Sequence, residues 1–187
     1  KMIPNNQYDP DIRFRKLVEA IKYVYATTFF QNARSYRRVV GKESTDEKMA
    51  VILQEVVGQR HGERFYPQLS GVARSFNDYA VGHATPRDGV VSLALGLGKT
   101  IVEGGRCWSY APPYPRAVPP FNNLDDLLEN TQTEFWAVRM GEPPAADPVA
   151  ETEYLVQSSI TDAEADGTLQ YVASTYNVQS DRLVEPK

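Results

Sequence analysis

Apolar positions change their spacing several times along the chain, and each change marks an element. Ile12, Leu17, Val18, Ile21, Val24, Tyr25 and Phe29 recur at helical spacing. Asp9, Pro10 and Asp11 supply a cap, a residue suited to the first turn and an acid for its positive end. The spacing predicts a helix from Asp11 to about Phe30, with Ile12, Leu17, Ile21, Val24 and Phe29 buried. A second helical piece covers 33–39 and stops at Gly41, and 41–47 reads as a polar turn. From Met49 to Val57 the residues are apolar and β-branched apart from Gln54 and Glu55, which predicts a buried strand ending on a polar hinge. Leu69–Ser75 and Val90–Leu95 read as two further strands. These three strands are expected in one mainly antiparallel sheet with the first helix packed on one face, an α+β unit.

Charged or glycine-rich stretches punctuate this pattern. Residues 58–68 (GQRHGERFYPQ) and 77–89 read as loops, and Gly104-Gly105 as a tight turn before a strand from Cys107 to Tyr110. Proline excludes APPYPRAVPP (111–120) from a sheet interior, so it reads as a surface crossing. A short helix is predicted over 123–130, capped by Asn122 or Asn123, then a strand from Glu134 to Met140. EPPAADPVAE (142–151) reads as a linker, and Tyr154–Ile160 and Thr168–Tyr176 as added strands. The expected division is therefore 1–140 as the main subdomain and 141–187 as linker and C-terminal β extension.

Composition narrows the function classes. The net charge of −4 argues against a general nucleic-acid surface, and no apolar run is long enough to span a membrane. One cysteine and two histidines make neither an internal disulfide nor a zinc site of usual form, and a reducing, cytoplasmic setting is the simplest expectation. His61 and His83 lack carboxylate partners at useful spacing and read as ordinary loop histidines. Ser70 and Ser75 lack a nucleophile-elbow pattern.

The strand 90–95 runs into Gly96-Leu97-Gly98, where backbone N–H groups can converge on phosphate. Gly98-Lys99-Thr100 looks like the end of a Walker A loop, but the glycine that motif requires is replaced by Leu93. Four pieces in order carry a different likeness: YATTFFQNARSYRR (25–38), AVILQEVVG (50–58), RHGERFYPQLSGVARSFN (60–77) and ALGLGKTIVEGG (94–105). Together they resemble the ATP-binding, ATP-grasp portion of pyruvate phosphate dikinase and phosphoenolpyruvate synthase. The wording of 60–77 is similar to that of large phosphoenolpyruvate-synthase-like proteins, and the chain reads as an internal fragment of one.

The resemblance implies an ATP-grasp-like half that binds ATP, with Mg²⁺ as its companion, in a parent phosphotransferase acting on pyruvate or phosphoenolpyruvate alongside its other domains. It implies that Gln54, Glu55, Val56 and Val57 form the adenine hinge, and that Arg106, Lys99 and Arg74 face the phosphates. Arginine suits bidentate phosphate binding. The chain departs from the family pattern at the metal end: Ser92 lies near the place of a family glutamate, Lys99 replaces the acid of "GLGE", and Asn77-Asp78 replaces "DP". Asp78, Asp88 and Glu103 remain as substitute acids. No catalytic residue is assigned, and the isolated fragment is expected to be inactive. The rival expectations are a non-catalytic interaction or sensing module that kept the fold and lost the metal site, and a scaffold without a ligand.

Overall fold

Asp9 opens the first helix by accepting the Asp11 backbone N–H at 2.8 Å, and α1 (Pro10–Thr27) follows with Pro10 in its first turn. The computed structural model describes residues 2–3, 5, 7–41, 48–117, 121–141 and 154–184. Most of the turn expected at 41–47, and the linker expected at 142–151, lie outside them. The second helix, α2 (Gln31–Val40), ends on Gly41 at φ 70°, a left-handed conformation that glycine adopts without a Cβ penalty. Arg37 Nη2 donates to Thr28 O at 2.5 Å, bracing the corner between the two helices.

These helices belong to one of two compact units, residues 1–56 with 144–151; the other comprises 57–143 and 152–187. The buried stripe expected on α1 does not form. Only Ala20 is buried, Leu17, Ile21 and Val24 are half-buried, Ile12 is exposed and Phe29 is 73% exposed. The described residues of this unit contain no strand against which such a stripe would pack. The expected strand Met49–Val57 is also absent: Ile52 is 89% and Val57 76% exposed. A β-branched run favours extended backbone, but a strand exists only where another strand accepts its hydrogen bonds, and this segment pairs with none among the described residues.

In the second unit, residues 58–68 form a hairpin rather than a loop. Strand β1 (Gln59–His61) turns at Gly62, φ 57°, and pairs antiparallel with β2 (Arg64–Tyr66). Of the three strands expected in one antiparallel sheet, 69–75 and 90–95 do pair in one, and 49–57 is missing from it. Strands β3 (Ser70–Arg74), β4 (Val90–Ala94) and β5 (Trp108–Tyr110) form an antiparallel sheet in that order. Strands β6 (Glu134–Arg139) and β7 (Leu155–Ser159) join the hairpin in a sheet ordered β1-β2-β6-β7. The pair β8 (Thr175–Asn177) and β9 (Arg182–Val184) stands as a separate ribbon, so only the end of the strand expected over 168–176 is real; Leu169–Tyr171 is a 3-10 turn.

Three helices punctuate the strands: α3 (Lys99–Val102) after the glycine turn, α4 (Leu124–Glu129) capped by Asn123, and α5 (Ile160–Ala165) capped by Ser159. The mixture of helices and antiparallel strands is α+β. Alternation on β6 sends Phe135 and Ala137 inward, where they meet Tyr66, Leu95 and Ala163 in the core, and turns Glu134 and Trp136 to the other face.

A polar staple crosses this core. Arg64 donates to both oxygens of Asp166, at 2.9 and 3.1 Å, and reaches Asp162 at 3.3 Å. The Tyr66 hydroxyl, on a fully buried ring, donates to Asp166 Oδ2 at 2.8 Å and lies 3.2 Å from Thr168 Oγ1. Burial, reinforced by the Asp166 carboxylate, pushes the Tyr66 phenol up to about 12 despite the opposing bond from Thr168. Burial alone would raise Asp166, but the Arg64 and Tyr66 hydrogen bonds outweigh it and hold the carboxyl below its usual value.

Candidate functional site

The chain after β4 builds the site. Gly96 takes φ 78°, and a Cβ there would lie 2.7 Å from both Phe135 Cδ2 and Trp136 O, so the turn lies directly against β6. Leu97 N–H donates to Trp136 O at 2.9 Å, and Gln132 bonds through its side chain to both backbone groups of Leu95. Helix α3 starts at this turn and ends before Gly104 and Gly105. A Cβ on Gly105 would meet Thr100 O at 2.8 Å, so the glycine lets the returning chain lie on the helix.

An open cavity of about 390 Å³ lies between α3, the loop after it and the ends of β6 and β7. That volume falls within the range of small-molecule sites, roughly 300–1,000 Å³. Glu103, Arg106, Glu134, Trp136 and Gln157 line it, with Thr100 at its wall. Gln157 Nε2 donates to Glu134 Oε2 at 2.5 Å, the two side chains reaching each other across the β6–β7 pairing. Lys99 forms an ion pair with Glu103 one turn along α3, and its ammonium lies 5.0 Å from the Trp136 ring centroid. Thr100 is only 7% exposed, and its hydroxyl has no hydrogen-bond partner among the described residues.

Of the residues expected from the sequence, the structure brings Arg106 into the cavity wall. Lys99 stands beside it, engaged with Glu103 and Trp136. Arg74 is exposed at the end of β3 and is not among the lining residues. Gln54, Glu55, Val56 and Val57 form an exposed segment across the boundary between the two units. Ser92 is 5% exposed and shares a 2.8 Å hydrogen bond with Ser109, inside the three-stranded sheet rather than at the cavity. Asp88 is spent on the Thr85 N–H and hydroxyl, and Asp78 is exposed. His61 belongs to β1 rather than a loop, its ring 5.0 Å from that of Tyr66.

Sequence reasoning missed Glu134, Trp136, Gln157 and Gln132. The alternation along β6 put Glu134 and Trp136 on one face and was legible, but the pairing that sets Gln157 opposite Trp136 joins residues on either side of the expected linker. Among the described residues there is no group of three His, Cys, Asp or Glu side chains able to hold a metal. No described helix is long and apolar enough to cross a membrane.

The family model described as "Pyruvate phosphate dikinase, AMP/ATP-binding domain" matches residues 12–138. The chain belongs to this family. Membership in an AMP/ATP-binding family makes nucleotide the ligand class of the domain. The match runs from α1 into β6 and includes Glu103, Arg106, Glu134 and Trp136, while Gln157 lies beyond its end. No curated protein and no solved structure matches the chain.

Proposed function

We propose that this chain is the ATP-binding part of a phosphoenolpyruvate-synthase-like or pyruvate phosphate dikinase-like phosphotransferase, with an ATP-grasp-like architecture. In this reading the cavity beside α3 takes the phosphate end of the nucleotide. The observation that carries it is the placement of Arg106 in one cavity with Glu134 and Gln157, directly after the glycine turn, in a chain of an AMP/ATP-binding family. Arg106 supplies a planar fork of donors for phosphate oxygens. The Thr100 hydroxyl is a further donor at the wall. We assign the adenine edge to the backbone of Gln54–Val57, and Lys99 and Arg74 to outer electrostatic roles.

Mg²⁺ arrives at such sites with the phosphates and needs only one or two protein carboxylates. Glu134, oriented by Gln157, is the carboxylate that would hold it, since Glu103 is already paired with Lys99. When bound, the ion would neutralise phosphate charge. The chain's own residues orient the nucleotide, and transfer to pyruvate is assigned to the assembled parent rather than to this chain alone. The ion pair between Lys99 and Glu103 also favours a second reading, a nucleotide-sensing module in which lysine replaces part of the metal's charge. Calorimetric titration with ATP and ADP tests the primary reading. Binding that Arg106→Ala weakens is the expected result; no binding at millimolar nucleotide refutes it.

A further inference from the structure

We propose that Gln132 is the positioning residue of this cavity: its amide fixes the spacing between the glycine turn and Glu134, and ligand affinity depends on that spacing. The inference rests on the nucleotide reading of the site. One side chain makes three bonds. Its Oε1 accepts the Leu95 N–H at 2.8 Å, and its Nε2 donates to Leu95 O at 3.0 Å and to Glu134 O at 2.9 Å.

Leu95 follows the last paired residue of β4, Ala94, so its backbone has run out of strand partners on β3. It is buried, and water is a poor substitute for the lost pairing. The Gln132 amide therefore acts as a one-residue strand neighbour, tying the end of one sheet to the first residue of β6 in the other. Both tied ends carry the site. Gly96 and Leu97 follow Leu95 into α3, and Glu134 is itself a lining residue, as is Gln132. A donor and an acceptor at this reach are both required. Alanine has neither, and glutamate has the length but, when ionised, no proton to donate.

The test uses the full chain with Gln132→Ala and Gln132→Glu, titrated with ATP by calorimetry. Amide exchange over 95–99, corrected for its intrinsic pH dependence, is measured in parallel. Gln132→Ala is expected to weaken ATP binding and to lower protection at 95–99 by at least about tenfold each, the scale of a lost buried hydrogen bond, with β8 and β9 unchanged. Gln132→Glu is expected to match it at neutral pH, where the carboxylate faces Leu95 O and Glu134 O. On acidification the new carboxyl regains a proton to donate, so affinity and protection recover relative to wild type at the same pH. Glu103, Arg106, Glu134 and the nucleotide phosphates also titrate or carry charge in the cavity, but are common to both proteins, so the ratio isolates position 132.

Wild-type affinity in Gln132→Ala overturns the proposal, as does a Gln132→Glu ratio that ignores pH. Should Gln132→Ala not fold, Gln132→Glu carries both readouts. If the wild type binds no ATP, the nucleotide reading falls and exchange alone decides. Loosening at 95–99 that acid reverses in Gln132→Glu then keeps Gln132 as the residue holding the cavity's shape, and unchanged exchange overturns it.

Discussion

Replacing Tyr66 with phenylalanine removes one oxygen from the middle of the polar staple and leaves the packing intact. The ring sits 4.6 Å from that of Phe135 and 5.0 Å from that of His61, contacts that phenylalanine preserves. What disappears is the buried donor to Asp166, whose carboxylate stays paired with Arg64. A hydrogen bond to a charged group contributes about 1.5–3 kcal/mol, so Tyr66→Phe is expected to lose about that much stability near neutral pH. The phenol adds a pH signature. Its value is about 12 in the folded chain against 10.0 for an ordinary tyrosine, so the unfolded state releases the proton first. The phenol's contribution is therefore complete below pH 10 and is lost as pH rises through 12. At about pH 11 the two states differ roughly tenfold in protonation, which lowers the wild type's advantage over Tyr66→Phe by about 1.4 kcal/mol. Both tryptophans, Trp108 and Trp136, lie in the same compact unit as Tyr66, so urea unfolding followed by tryptophan emission reads that unit. A loss below about 0.5 kcal/mol at neutral pH, less than one net hydrogen bond, would refute the reasoning. So would an advantage that stays constant into alkali.

Asp166→Asn should remove the staple's acid sensitivity. Because the folded carboxyl is held below its usual value, its contribution is present above the ordinary aspartate range and is lost as pH falls through the folded value, so wild-type and variant stabilities converge in acid unfolding curves. Gly96→Ala should cost at least about 1–3 kcal/mol, because φ 78° and backbone and ring atoms at 2.7 Å leave no room for a Cβ; thermal unfolding measures it. Arg106→Ala should weaken ATP and ADP alike by about 1.5–3 kcal/mol in calorimetry. Mg²⁺ should change wild-type ATP affinity by less than about tenfold, roughly 1.4 kcal/mol, because Glu134 is the one cavity carboxylate among the described residues outside an ion pair; a larger enhancement in the same titrations refutes that account.

The sequence by itself determined the local devices. Asp9 with Pro10, Gly41, Asn123 and the Gly96 turn appear where their chemistry requires, since a cap or a left-handed turn depends on a few adjacent residues. The pairing of 69–75 with 90–95, the strand from Glu134 and family membership were legible for a similar reason: alternation and motif order are linear properties. The fate of Met49–Val57 was not. Its residues suit a strand, but without a partner edge among the described residues the segment stays unpaired there and exposed. The hairpin at 59–66 was hidden by its charge, because Arg64 is spent on Asp166, 102 residues away. Only the tertiary structure decided which residues share the cavity. Arg106 was readable beside its glycines, whereas Glu134, Gln157 and Gln132 meet it through strand register and sheet-to-sheet contact, which linear spacing does not encode.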